Sequence, residues 1–275
     1  MNIDAYLGRI GYEGPCRATF DALRAIAHAH ATTIPFENLS VLASGAPNLE
    51  IGAVEDKLVR RNRGGYCYEQ NHLLLAALRA IGFDVTPLSA RVRYRLPRET
   101  DSPRSHMVLC VMSEGRRWLA DAGFGRLSLT APVDIDARAT QRTPHEDVRV
   151  EPLGDAMLLS YFIEGEWHDG YAFDFVRQLP VDYAQQNWYT ATRPGGLFSS
   201  NLVVAMPAPG GRHTLFNRTL TWRPLSGSEE RQAVGTIDEL RDALAAIFGL
   251  RPDDAELERA WEVGGRGQDA NAMFV

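Results

Sequence analysis

The sequence feature that most constrains the fold is a change of pattern about a third of the way along the chain, where helical spacing gives way to short strands. Residues 19–29 repeat apolar side chains at intervals of three to four, which is typical of a half-buried helix. By contrast, residues 106–112 form a nearly continuous apolar run that ends at the turn signal of residues 113–115. Residues 118–121 return from that turn as the second strand of a hairpin. Other strand patterns lie at residues 85–94, 148–151, 156–163 and 171–175, so we expect a small antiparallel sheet or barrel.

The regions on either side of these strands contain further helices. In the first part, Pro35 interrupts the helical pattern because it lacks a backbone donor and restricts the residue before it. Near the end, residues 237–248 form an amphipathic helix with Thr236 and Glu239 as a capping box and Gly249 as its stop. The remaining predictions are helices at 54–59, 183–189 and 254–263 and strands at 202–206 and 214–222.

Composition limits the class of protein. The chain has 275 residues, of which 45% are hydrophobic and 23% charged, as in an ordinary soluble globular protein. Its net charge of −6 argues against nucleic acid or an anionic membrane as the main partner. No apolar run approaches the ~18 residues of a membrane span, and Asp4 stands where a signal peptide would be basic. Cys16, Cys67 and Cys110 are too few and too far apart for a disulfide framework, which favours a reduced, cytoplasmic setting.

Cys67 lies in the stretch of the chain that is richest in chemistry, RGGYCYEQN at residues 63–71. Two glycines allow a sharp turn, and a helical pattern that ends at Gly82 follows at once. Cys67 is therefore expected at a helix N-terminus, where free N–H groups favour the nucleophilic thiolate. The alternative is a cysteine that simply packs as a small buried hydrophobe. Partners elsewhere in the chain decide between the two.

His106 and Asp121 can supply those partners. His106 opens the first strand of the predicted hairpin and Asp121 closes the second, so the hairpin can place Asp121 beside His106. One ring nitrogen of His106 would then remain for Cys67, giving a nucleophile, a base and a group that orients the base. Taken singly, His106 is more often a structural histidine and Asp121 a turn-capping acid.

A metal or phosphate site finds little support in the sequence. It contains no Cys-x-x-Cys, no His-Glu-x-x-His and no His/Cys cluster, and Gly123-x-Gly125 lacks the third glycine of a phosphate loop. His28 and His30 are spaced wrongly for one helix face. We expect His145, His168 and His213 to be solvent-facing residues of polar loops.

The motifs together resemble the arylamine N-acetyltransferase family. The resemblance is carried, in family order, by IPFENL at residues 34–39, RGGYCYEQN at 63–71, SHMVL at 105–109, DAGFGR at 121–126 and the similar segment at 187–194. It covers roughly the first 200 residues, and the last 75 match poorly. It implies an α+β fold with a cysteine-protease-like core. Its parts would be a helical bundle with the nucleophilic cysteine (1–86), an antiparallel β-barrel with the histidine and aspartate (87–190), and an α/β lid with an interdomain segment (191–275).

The resemblance also implies a ping-pong reaction. Acetyl-CoA would acetylate Cys67, CoA would leave, and an arylamine, hydrazine or arylhydroxylamine would accept the acetyl group, with His106 collecting the proton. No metal is required. We expect small-molecule partners, no nucleic acid or membrane, and a monomer or homodimer.

Further site residues follow from the resemblance by position. Phe36, Val92, Phe124 and Phe198 would line the acceptor pocket, where aromatic walls suit a flat amine, although core packing is the simpler role for Phe198. Ser102, Ser105, Gly125 and Arg126 would approach CoA or the acceptor. Glu37 and Arg63 are expected to form an ion pair that holds the cysteine turn, and Cys16 and Cys110 to be packing residues.

Three alternatives stay open. A related enzyme could use malonyl-CoA or close a macrocyclic amide, since the donor site matches poorly. A papain-type cysteine hydrolase would use the same three groups, although its Cys-Gly-[Ser/Ala]-Cys-[Trp/Tyr] signature is absent. A non-catalytic binding protein could keep the fold, and the presence of all three residues argues against it.

Overall fold

The structure is a computed structural model that describes residues 1–97 and 99–266. Helices dominate its first third, and local signals explain where they begin and end. The side chains of Asn2 and Thr19 accept hydrogen bonds from the first turns of α1 and α2, and Gly82 ends α5 with a left-handed φ of 105°. These helices are α1 (Ile3–Ile10), α2 (Phe20–Thr33), α3 (Leu39–Ser44), α4 (Ile51–Glu55) and α5 (Cys67–Ile81). The predicted helix at 54–59 is thus the end of α4 followed by a π-helical turn, Asp56–Arg60.

The central part is an eight-stranded antiparallel sheet that curls into a nearly closed barrel, in the order β5-β4-β3-β2-β9-β8-β7-β6. The predicted hairpin is present, with Leu109 opposite Ala120. The strands are β2 (Asp84–Val92), β3 (Arg104–Ser113), β4 (Arg116–Ala120), β5 (Val133–Asp134), β6 (Gln141–Arg142), β7 (Asp147–Leu153), β8 (Ala156–Ile163) and β9 (Glu166–Phe173).

A second, five-stranded sheet has the order β1-β10-β11-β12-β13. Its edge strand β1 (Phe36–Glu37) comes from the segment after Pro35, where the sequence predicted only an interruption. The single strand predicted at 214–222 is in fact two, because the chain turns at Asn217, which adopts a left-handed φ of 54° that asparagine tolerates. The other strands are β10 (Val203–Ala208), β11 (Gly211–Phe216), β12 (Thr219–Pro224) and β13 (Glu230–Ala233).

The remaining helices lie on either side of β10–β13 along the chain. α8 (Ile237–Phe248) begins at the predicted cap Thr236, and its buried face joins the inner side of the second sheet in one apolar core. The remaining helices are α6 (Pro180–Thr192), α7 (Leu197–Ser200) and α9 (Asp254–Arg266). Across residues 1–97 and 99–266, no helix combines the length and apolarity needed to cross a membrane.

Candidate active site

A cavity of about 780 Å³ opens where the helices, the barrel and the second sheet meet. Cys67 at the start of α5 and His106 on β3 both line it. Its wall also contains all eight residues that the sequence placed around acceptor and CoA: Phe36, Val92, Phe124, Phe198, Ser102, Ser105, Gly125 and Arg126.

The glycine pair before Cys67 is needed for close packing. A Cβ on Gly64 would lie 2.3 Å from the carbonyl oxygen of Pro35, so only glycine fits there. The turn is tied to β1 by the hydrogen bond from Glu37 N to Gly65 O at 3.1 Å. Cys67 is consequently the first residue of α5, as predicted, and it is almost fully buried.

His106 and Asp121 form the predicted contact across the hairpin. Nε2 of His106 and Oδ2 of Asp121 are 2.7 Å apart, and both residues are buried. This bond leaves Nδ1 of His106 for another partner. The imidazole is packed between Phe124 and Tyr171, with ring centroids at 5.0 and 5.1 Å.

Asn71 holds the Asp121 carboxylate from the side opposite His106. Its Nδ2 donates to Oδ1 of Asp121 at 2.8 Å and to the carbonyl of Met107 at 2.7 Å. Asp121 Oδ1 also accepts from Gly123 N at 2.8 Å. Asn71 was not among the site residues predicted from the sequence. Its position four residues after Cys67, on the same face of a helix, was the available signal.

Burial governs the acidity of Cys67. Desolvation, followed by the nearby Asp121 carboxylate, raises the pKa of the thiol, whereas the N–H groups of Tyr68 and of Cys67 itself lower it. The N–H groups at the helix start lower the pKa of Cys67 as expected, but burial raises it by more. The lowered thiol pKa predicted from the sequence is therefore wrong for Cys67 without a charged partner. The thiol instead contacts the carbonyl of Ser105, with 3.9 Å between Sγ and oxygen. A thiolate at this place therefore needs a cation beside it.

A buried network of ion pairs holds the turn that precedes Cys67. The predicted pair is present, with Nη2 of Arg63 at 3.3 Å from Oε1 of Glu37. Arg63 also binds Glu256 of α9 through Nη1, at 2.6 Å. Lys57, from the π-helical turn, donates to Glu69 at 2.8 Å, and Glu69 in turn accepts the N–H of Tyr66 at 3.1 Å. The network thus joins the first turn of α5 to the C-terminal helix.

Two predictions about secondary candidates were wrong. His168 and His213 lie on β9 and β11 and are partly buried, whereas polar loops were expected. Cys16 is exposed and so does not pack, unlike Cys110, which is buried as predicted. No group of three or more potential metal ligands occurs in the described part of the chain.

Comparison with known proteins covers most of the chain. Residues 19–257 match a family model described as N-acetyltransferase. The arylamine N-acetyltransferase of Mycolicibacterium smegmatis is 38% identical over 257 residues, covering 91% of this chain and 92% of that protein. The Escherichia coli (strain K12) enzyme of the same name is 36% identical over 255 residues, covering 92% of this chain and 90% of that protein.

The fold is also similar to that of solved arylamine N-acetyltransferases. The structure of Mycobacterium marinum arylamine N-acetyltransferase in complex with CoA superimposes with a TM-score of 0.91 at 32% identity, covering 96% of this chain and 99% of that one. The chain therefore belongs to the arylamine N-acetyltransferase family.

Proposed function

We propose that this protein transfers an acetyl group from acetyl-CoA to arylamines and hydrazines, and to the oxygen of arylhydroxylamines, through an acetyl-Cys67 intermediate. The observation that carries the proposal is geometric. Cys67 and His106 line one cavity, and Asp121 holds one nitrogen of His106 so that the other is left for the thiol. The solved relative that contains CoA supports the donor.

In the first half-reaction, His106 takes the proton of the Cys67 thiol, and the thiolate attacks the thioester carbonyl of acetyl-CoA. Because burial raises the pKa of Cys67, the thiolate forms together with an imidazolium, whose charge Asp121 balances. As the tetrahedral intermediate collapses, the bond to the sulfur of CoA breaks, and the leaving thiolate recovers the proton from His106.

In the second half-reaction, the amine attacks the acetyl-Cys67 thioester. A weakly basic arylamine is uncharged at neutral pH, so its nitrogen lone pair is free. His106 accepts the proton that the nitrogen loses as the amide forms, and the Cys67 thiolate leaves. The imidazolium then returns the proton to this thiolate, which restores the Cys67 thiol and the neutral His106 of the resting enzyme.

The cavity wall fits these substrates. The rings of Phe36 and Phe198 lie 5.7 Å apart, and Phe124 packs on His106 at 5.0 Å, so apolar faces surround the position of a flat acceptor. We assign acceptor contacts to these phenylalanines and Val92. Ser102, Ser105, Gly125 and Arg126 are assigned contacts with CoA or with a polar group of the acceptor.

The proposal extends to the organisation of the chain. Residues 1–86 and 87–190 form a cysteine-protease-like core, and residues 191–275 form a lid that closes the cavity. Val203 on β10 and Thr214 on β11, both from the third part, line the cavity and support this division. Residues 267–275 of the proposed lid lie outside the described residues.

Mass spectrometry of the acylated protein tests the intermediate. After mixing with acetyl-CoA, we expect a gain of about 42 mass units on the peptide with Cys67, against roughly 86 for malonyl-CoA, from the atoms added. Cys67→Ala should lose both the label and acetyl transfer to an aromatic amine. Cys16→Ala, which removes an exposed thiol, is the matched control and should keep both. Full transfer by Cys67→Ala would contradict the proposal.

A further inference from the structure

One wall of the cavity places a carboxylate between two arginines. Glu229, in the connection before β13, lies with Oε1 at 3.2 Å from Nη2 of Arg126 and Oε2 at 3.0 Å from Nη2 of Arg231. All three residues line the cavity, and the side chain of Glu229 is 18% exposed. These contacts therefore face the space that a substrate enters.

The charge of the cavity differs in sign from that of the protein. Among the described residues that line it, four arginines (Arg95, Arg126, Arg193 and Arg231) stand against two acids (Asp101 and Glu229), a net charge of +2. The whole chain carries −6. A cavity of opposite sign to the rest of the surface attracts anions. The carboxylate of Glu229, which lines the same cavity, neutralises part of this positive charge.

Arg126 is suited to hold a second anion. Its side chain is 28% exposed, and among the described residues its guanidinium donates only to Glu229, through Nη2, so it keeps further donors for an anion in the cavity. The 3₁₀ turn Gly125–Leu127 that presents it directly follows Phe124, which packs on His106. The arginine pair is thus connected to the reacting groups by one short loop.

Glu229 is held in its charged form. Burial raises the pKa of the Glu229 carboxyl, but the hydrogen bond from Arg231 and the charge of Arg126 outweigh burial and lower it. The two guanidinium groups accordingly face a carboxylate, the same chemical group that an incoming anion would present.

We propose that Arg126 and Arg231 form an anion subsite that Glu229 occupies in the free enzyme, and that a substrate anion displaces Glu229 when it binds. This inference rests on the proposed acetyl transfer. The anion is either a phosphate of the acyl-CoA donor or the carboxylate of an acidic arylamine. Both offer the oxygen pair that an arginine fork recognises. Glu229 thereby sets how strongly the enzyme prefers anionic over neutral substrates.

The experiment compares anionic with neutral substrates in each half-reaction. For the donor, kcat/KM with acetyl-CoA is divided by kcat/KM with uncharged 4-nitrophenyl acetate. For the acceptor, kcat/KM with 4-aminobenzoate is divided by that with 4-methoxyaniline. Using ratios removes any general effect of a variant on Cys67 or on folding. The donor ratio identifies a phosphate as the anion and the acceptor ratio a carboxylate.

Glu229→Gln keeps the size of the side chain and removes its charge. We expect one of the two ratios to rise about threefold to tenfold, the range for removing one partly exposed competing charge. Glu230→Gln is the matched control, because Glu230 is adjacent and exposed on β13 and its loss changes the net charge equally. It should leave both ratios at the wild-type value. Arg231→Gln removes a positive charge from the same subsite, so it should lower the ratio that Glu229→Gln raises.

Unchanged ratios in Glu229→Gln, or an equal rise in Glu230→Gln, would overturn the inference. Failure of the proposed function is a different result. In that case the wild-type enzyme shows no acetyl-CoA-dependent transfer, before any variant is compared.

Discussion

Asn71 and Asp121 are joined by a hydrogen bond of 2.8 Å between Asn71 Nδ2 and Asp121 Oδ1, the carboxylate oxygen that faces away from His106. Asn71 Oδ1 in turn accepts the N–H of Ala122 at 3.1 Å. One side chain on α5 therefore fixes both the acid and the loop that follows it. Since α5 also begins at Cys67, the helix that presents this cysteine also orients His106, through Asp121.

Replacing Asn71 should impair chemistry more than folding. In Asn71→Ala, Asp121 loses one of its two supports at Oδ1 and can rotate away from His106, so we expect kcat to fall roughly tenfold to a hundredfold. Steady-state kinetics measures this loss, and the rate of Cys67 alkylation across pH shows whether His106 still takes the proton. Asn48→Ala, at an exposed asparagine in a surface turn, should behave as wild type. A normally active Asn71→Ala enzyme would contradict the positioning role.

Gly123 has no room for a side chain. A Cβ at this position would lie 2.8 Å from Cα of Cys67 and 2.9 Å from its carbonyl oxygen, and backbone atoms cannot move aside cheaply. We expect Gly123→Ala to displace Cys67 and lower kcat/KM by about tenfold or more, with a lower melting temperature. Gly8→Ala is the control, because its Cβ meets no atom within 4 Å in α1 and alanine favours a helix. Equal activity of the two variants would refute the packing argument.

Local patterns predicted the elements that carry the site. A glycine turn followed by helical spacing placed Cys67 at the start of α5, and two apolar runs around a turn signal predicted the hairpin that joins His106 to Asp121. Each of these signals lies within about 20 residues of sequence. The physical information for such elements is local, so a single sequence contains it.

The remaining features depend on distant parts of the chain. Glu256 binds Arg63 although 193 positions separate them in the sequence, and the residues next to each of them give no signal of the pairing. The pairing of β1 with β10 is equally remote, so a two-residue strand after Pro35 could not be distinguished from an interruption. The pKa of Cys67 is raised, whereas the sequence predicted a lowered one. The largest cause of the shift is burial, which is a property of the assembled core.

His30 gives the fold a specific sensitivity to acid. It lies fully buried between Tyr6 and Gln70, and Gln70 holds the carbonyls of Pro35 and Gly65 next to the cysteine turn. Burial lowers the pKa of His30 to about 4 from its usual 6.5. The unfolded chain therefore binds a proton first, so the stability due to neutral His30 is complete above pH 6.5 and is lost as the pH falls towards 4.

We expect this loss to amount to roughly 2 kcal/mol, measured as the free energy of unfolding in denaturant at pH 7 and at pH 4.5. His30→Gln should be less stable at pH 7 but should lose less stability between the two pH values. Tyr6→Phe removes one hydrogen bond and keeps the histidine, so it should retain the acid sensitivity. If His30→Gln and wild type show the same pH dependence, His30 is not the group responsible.

Glu146 joins the barrel to the second sheet. Arg212 Nε on β11 donates to Glu146 Oε1 at 2.7 Å, Arg223 on β12 binds the same carboxylate, and both Glu146 and Arg212 are buried. Burial raises the pKa of Glu146, but the two arginines outweigh it and hold the pKa below the usual 4.5. The carboxylate therefore contributes stability above pH 4.5 that is lost as the pH falls through the lowered value.

Glu146→Gln should lower the free energy of unfolding at pH 7 by about 3–5 kcal/mol, because it leaves two guanidinium groups without their counter-charge. The difference from wild type should shrink below pH 4.5, where Glu146 of the unfolded wild-type chain takes up a proton that folding must then release. Glu151→Gln breaks a more exposed pair with Arg149 on β7 and should change stability by less than about 1 kcal/mol. Denaturant unfolding at pH 7 and pH 3.5 measures both variants. A Glu146→Gln deficit that stays the same at both pH values would show that the charge of Glu146 is not what holds the sheet to the barrel.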